Sequence, residues 1–171
     1  MRKFLLAAPI LLLANAATAN YAFNNTDVVG SWECDSTKRY LDNGIVIEAK
    51  AFYDLTADGD TAFQSVGKFF HNGTLAATHQ TTGHAKWQLD DGFLYFPMPT
   101  ITSYEVFNHT INQSIKDTNA LLSYQHSYAN TMANDKRAIV FLDKNHFRYA
   151  KRLTTDINSD VHENEHLCTR L

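Results

Sequence analysis

The chain has no cluster of basic residues, no internal repeat and no low-complexity tract or linker. Its longest apolar run, at the start, is too short for a comfortable membrane span, which takes about 20 residues, and no later stretch approaches that length. Each absence removes a class. With 15 Lys and Arg against 18 Asp and Glu, nothing is placed to neutralise a row of phosphates, so nucleic acid is not expected as a partner. Cysteine is scarce, at two residues, and these lack the Cys-x-x-Cys spacing of a redox site. No Ser/His/Asp or Cys/His grouping stands out by spacing. No catalytic residue and no cofactor is therefore assigned, and the expectation is a protein that is not an enzyme.

The one apolar run lies at the start. Arg2 and Lys3 precede Phe4 to Leu13, and Ala17-Thr18-Ala19 offers small residues where a signal peptidase reads. That order predicts a cleavable signal peptide over 1–19 and a single mature domain over 20–171, periplasmic or secreted. No Cys stands at the cleavage point, so a lipid anchor is not expected, nor any stable membrane attachment. Loss of Arg2 and Lys3 leaves 13 basic against 18 acidic residues in a chain rich in Phe and Tyr. Such a chain has the apolar content to build a core.

In an exported protein a single pair of cysteines reads first as a disulfide, here Cys34 with Cys168. Free buried thiols are the alternative. Between them the dominant rhythm is strand, turn, strand. Ile45, Ile47, Ala49, Ala51, Tyr53 and Leu55 alternate with Glu48, Lys50 and Asp54, a strand with one wet face. Asp58-Gly59 turns it into a return strand from Thr61 to Phe70. His71-Asn72-Gly73 turns again into Thr74 to Leu89, with a bulge expected at Gly83. Asp90-Asp91-Gly92 leads into Phe93 to Phe96. Late in the chain, Ala138 to Leu142 and His146 to Arg152 flank Asp143-Lys144-Asn145 as a further hairpin. Thr110 to Tyr128 breaks the rhythm. There Ile111, Ile115, Thr118, Leu122 and His126 recur at helical spacing and predict one amphipathic helix, or a helix plus loop, with Met132 to Lys136 as an exposed connection.

On a strand, alternate side chains share a face. Gly30, Trp32 and Cys34 therefore form one set, and Cys168 and Arg170 another. If the first and last strands pair antiparallel with the cysteines opposed, 34 and 168 sum to 202, and so do 32 and 170. Arg170 then lies opposite Trp32, a guanidinium over an indole.

A Gly-x-Trp on the first strand, covered by an Arg from the last, resembles the closed end of lipocalin and wider calycin barrels. More closely, the chain resembles small exported bacterial lipocalin-like proteins, through Gly30 to Cys34, Asp58-Gly59, the late helix and Cys168-Thr169-Arg170. The resemblance implies a mainly β fold: an antiparallel up-and-down lipocalin-like β-barrel with one helix inserted before the last strands. It also implies, together with the aromatic content, a binding protein for a small, largely apolar molecule. Phe63, Phe69, Trp87, Tyr95, Phe147 and Tyr149 are the candidate barrel lining. The second reading is an inhibitor or immunity-type protein whose partner is another protein.

His162-Glu163-Asn164-Glu165-His166 matches the H-E-x-x-H of zinc peptidases, in which two imidazoles share a helix face. Such a metal needs a third protein ligand downstream, and only five residues follow His166. The motif also carries no apolar residue to seat a helix. It reads instead as a polar loop entering the closing strand, with no metal assigned. His162 and His166, with Glu163 or Glu165, are retained only as an adventitious metal pair.

Overall fold

The computed structural model describes residues 24–36, 38–115, 118–150 and 165–171. The expected signal peptide, His162 and Glu163 lie outside them. The described chain forms β1 (Gly30–Ser36), β2 (Arg39–Leu41), β3 (Ile45–Leu55), β4 (Asp60–His71), β5 (Thr74–Lys86), β6 (Gln88–Asp90) and β7 (Phe93–Tyr95). It continues with β8 (Thr100–Asn108), β9 (Gln113–Ser114), α1 (Thr118–Asn134), β10 (Arg137–Asp143), β11 (His146–Ala150) and β12 (His166–Arg170). All the ladders are antiparallel and belong to one sheet, ordered β6-β7-β10-β11-β12-β1-β3-β4-β5-β8-β9, with β2 beside the start of β3. The sheet curls into a half-barrel, and one helix precedes the last strands, as the sequence predicts.

The strands form where the alternation places them. Along β3 to β5, Ala51, Leu55, Thr61, Phe63, Thr81 and Ala85 point into the curl and are buried. Of the Asp58-Gly59 pair only Gly59 takes a positive φ, and its N–H closes the turn on the carbonyl of Thr56. At Gly83 the β5–β8 register shifts, but the extra residue is Thr102 of β8, so the bulge lies opposite the glycine and not in its own strand. A Cβ on Gly83 would lie 2.4 Å from the carbonyl oxygen of Thr100 and 2.5 Å from the ring of Phe63, so only glycine lets the strands close up there.

β1 and β12 pair in the register given by the constant sum: Trp32 faces Arg170 and Cys34 faces Cys168. The two cysteines are joined in a buried disulfide. The guanidinium of Arg170 lies 4.2 Å from the centre of the Trp32 ring and donates to the carbonyls of Asp27 (2.6 Å), Val29 (2.7 Å) and Lys144 (3.1 Å). Gly30 runs beneath it with φ +138°, and a Cβ there would meet Nη1 of Arg170 at 2.4 Å. The Gly-x-Trp pattern thus has a steric cause. The glycine admits the arginine that covers the indole.

This seam lies at the middle of the sheet, not at its edges. The open edges are β6 on one side and β8 with β9 on the other, and no ladder joins them among the described residues. Helix α1 touches both β8 and β7 and so lies across the opening. Its placement corrects the expected helix. Residues 109–115 form a turn and the short β9, and the helix begins at Thr118 and runs on through Met132. The stripe of Ile111, Ile115, Thr118, Leu122 and His126 is exposed. The inward face is instead Leu121, Gln125, Tyr128, Ala129, Met132 and Ala133, which also recur at helical spacing. Met132 packs on the core and is no part of an exposed connection.

Candidate functional site

The two ends of the half-barrel differ in how they are filled. At the Trp32 end, side chains occupy the interior. Trp32 meets Phe147 edge-on at 4.6 Å and Phe141 at 6.1 Å, and its indole N–H donates to the carbonyl of Val28 at 2.8 Å. Toward α1 the interior is open, and a cavity of about 310 Å³ remains between the concave face of the sheet and the helix. Ile47, Ala49, Ala51 and Tyr53 of β3 supply one wall because they alternate inward. Small residues at 49 and 51 leave the space that a larger side chain would fill. Tyr128, Thr131 and Met132 of α1 form the roof, and Phe96, Tyr149 and His166 also line the space.

Polar groups concentrate in this space. Arg137, at the start of β10, holds Asp135 through Nε at 2.7 Å and Nη2 at 2.5 Å, with both side chains 15% exposed. The same guanidinium lies 5.1 Å from the Tyr149 ring. Burial raises the phenol pKa of Tyr53, Tyr149 and Tyr128, the last tempered by a hydrogen bond to Ser65, so all three are protonated donors near neutrality. His166 enters the same interior because it is two residues from Cys168 on β12. Its Nδ1 is buried and has no hydrogen-bond partner. Burial first, and the nearby Arg137 second, push its pKa down to about 4, against the pull of Asp135, Asp35 and Glu165.

That shift has a sign. An unfolded histidine titrates near 6.5, so between pH 6.5 and 4 the unfolded chain binds the proton that folded His166 refuses. Stability therefore rises with pH across this window and is level above it. Acidification from pH 7 to 4 is expected to cost on the order of 2–3 kcal/mol at this residue. Urea unfolding of the wild type and of His166→Gln at both pH values isolates the effect. Equal pH slopes for the two proteins would contradict it.

Of the six candidate lining residues, the structure places only Tyr149 on the cavity. Phe63 and Phe147 are buried in the core, and Trp87 packs against it while donating its N–H to the carbonyl of Thr56 at 2.9 Å. Phe69 lies 4.2 Å from the ring of His79, within an aromatic group that includes Tyr104 and Tyr124. Tyr95 bonds Gln88, and Lys136 sits 4.3 Å above its ring. Sequence reasoning missed Tyr53, Tyr128, Arg137 and the inward aim of His166. The signal for His166 was available: it shares the two-residue period of Cys168 and Arg170.

His166 also settles half of the H-E-x-x-H pattern. It opens a strand and pairs with Ser36 and Tyr149, and Glu165 beside it forms an ion pair with Arg148. Strand geometry sends neighbouring side chains to opposite faces, which is not the helical arrangement that the zinc motif needs. Among the described residues no helix is long and apolar enough to cross a membrane. No model of a known protein family and no curated protein matches the chain.

Proposed function

We propose that this is an exported, non-enzymatic binding protein of lipocalin-like design that holds a small, largely apolar molecule beneath α1. The observation that carries the reading is the cavity of about 310 Å³, walled by aliphatic and aromatic side chains and furnished with a few buried polar groups. Ligand pockets have this composition, in a size range of about 300–1,000 Å³. The disulfide, together with the leader-like start of the sequence, supports a periplasmic or secreted location. Native mass spectrometry of the protein purified without denaturant, followed by titration with a neutral hydrophobic fluorophore, tests the reading. A co-purifying small molecule or saturable 1:1 uptake is expected. Neither would be seen if the cavity were idle space.

A second reading has its own observation. Val140 and Leu142 of β10 and Leu167 of β12 are exposed large apolar residues on the side of the sheet opposite the buried core positions of those strands. An outer face of this kind suits an inhibitor that presses its barrel wall on another protein. Recovery of a stoichiometric protein from native extracts, lost in Val140→Lys/Leu167→Lys, would favour it.

A further inference from the structure

A second group of side chains gathers on the inner wall of β4, β5 and β8, and strand register brings it together. His79 of β5 pairs with Gly67 of β4, and Phe69 follows two residues later on the same face. Because Gly67 has no side chain, the Phe69 ring swings over it and meets the His79 ring at 4.2 Å. On the next strand Tyr104 shares a hydrogen bond between its hydroxyl and Nδ1 of His79. Tyr124 of α1 stacks on Tyr104, with ring centres 4.1 Å apart and planes 13° from parallel, and the two hydroxyls are hydrogen-bonded. None of these four side chains lines the cavity beneath α1.

The proton in this pair has a defined place. Burial lowers the pKa of His79, so near neutrality its Nδ1 holds a lone pair and accepts from the Tyr104 hydroxyl. Burial first, and Tyr124 second, push the Tyr104 phenol far above its ordinary value, so simple ionisation is closed to it. The groups packed on His79 are Gly67 and Phe69 of β4, Tyr104 and Val106 of β8, and Tyr124 of α1, with no Asp, Glu, Lys or Arg among them. Tyr149 and His166 adjoin as well, with ring centres 5.8 Å apart, but Nδ1 of that imidazole has no partner.

A phenol bonded to an imidazole can release an electron where an isolated buried phenol cannot. Electron loss alone would leave a cation radical shut away from water, a costly charge. With Nδ1 in hydrogen-bond reach the proton leaves with the electron, and the phenoxyl that remains is neutral. The positive charge passes to His79, which is only half-buried and so keeps some hydration. Access follows the same line. Tyr104 is 6% exposed and cannot meet an oxidant itself, whereas Tyr124 is 37% exposed and in ring contact with it.

We propose that Tyr104 is a redox-active tyrosine, oxidised through Tyr124 by a diffusible organic radical while His79 takes its proton. The radical gains one electron and becomes its anion. Tyr104 loses that electron and becomes a phenoxyl, and its hydroxyl proton ends on Nδ1 of His79. Burial beneath Tyr124 keeps the phenoxyl from other reactants and makes it long-lived. The site does not depend on a guest beneath α1.

Laser flash photolysis of the disulfide-intact protein at pH 7.5, with tris(bipyridine)ruthenium(III) generated in place as the one-electron oxidant, tests the proposal. The phenoxyl absorption of the folded wild type is expected to outlast that of the urea-unfolded chain at least tenfold, and to form more slowly in deuterium oxide. His79→Gln keeps an acceptor for the Tyr104 hydroxyl but takes no proton. It and Tyr104→Phe are each expected to cut the long-lived signal at least fivefold, while Tyr40→Phe, at an exposed phenol, leaves it unchanged. An undiminished signal in His79→Gln or in Tyr104→Phe overturns the inference. So does a wild-type phenoxyl that decays as fast as in the unfolded chain, a comparison that decides the matter even if a variant proves unstable.

Discussion

Replacing Trp32 with alanine is expected to lower the unfolding free energy by about 3–5 kcal/mol, the range for removing a large buried aromatic. Trp32 has no exposed surface, and it is the common neighbour of Phe141 and Phe147. Its loss opens a void that strands held in ladders on both sides of β1 cannot collapse to fill. It also leaves the carbonyl of Val28 without its donor and Arg170 without the ring beneath it. Trp32→Phe separates these parts, since it keeps most of the packing and deletes the N–H. It should cost about 1–2 kcal/mol, the value of an unsatisfied buried acceptor. A double-mutant cycle with Arg170→Met then reads the cation–π coupling, expected at about 0.5–2 kcal/mol. Urea unfolding followed by the far-ultraviolet signal provides all four corners. A Trp32→Ala loss below 1 kcal/mol would mean that this end of the half-barrel is not the packed end.

The second large effect belongs to the disulfide. Cys34 and Cys168 are 134 residues apart, so the bond restricts the unfolded chain by about 4–5 kcal/mol on the loop-entropy account. Cys34→Ala/Cys168→Ala is expected to lose about 2–5 kcal/mol, the range typical of removing a native disulfide from a small domain. The bond matters beyond entropy. It sits where β12, the last strand, joins β1, the first, and every other strand reaches the sheet through these two. Because both cysteines are buried, reductant should act on the native protein only as fast as the seam opens. Denaturant midpoints of the oxidised protein and the double variant give the comparison, and coincident midpoints would contradict it.

Much of this fold is legible in the sequence where one rule acts alone. The β1–β12 register follows from parity and one pairing assumption, and the β3–β4 hairpin follows from strict alternation ended by Asp-Gly. Where two rules meet, the reading fails. β8 escapes the strand pattern because its inward residues are Ile101, Tyr104 and Val106, and the bulge opposite Gly83 inserts a step of three into the period of two. The helix was misplaced because its exposed apolar residues make a cleaner stripe than its inward ones, which are mostly small or polar. Ile111 and Ile115 precede the helix altogether. The site was the least legible part. Alternation tells which side chains face inward, but not whether an inward position is packed, as Phe63 is, or left open, as Ala51 and Tyr53 are. That difference depends on where α1 comes to rest across the open edges, a tertiary outcome with no local signature.

The central claim is that a ligand sits between α1 and the concave face of β3, and one substitution tests it directly. Ala51 is buried, lines the cavity and projects toward the space beneath α1, so Ala51→Phe places a ring where the ligand would lie. Calorimetric titration of this variant with the neutral hydrophobic fluorophore, after near-ultraviolet circular dichroism has shown a native-like fold, gives the answer. The account predicts at least a tenfold loss of affinity. Undiminished binding with the phenyl ring in place would show that the ligand lies elsewhere.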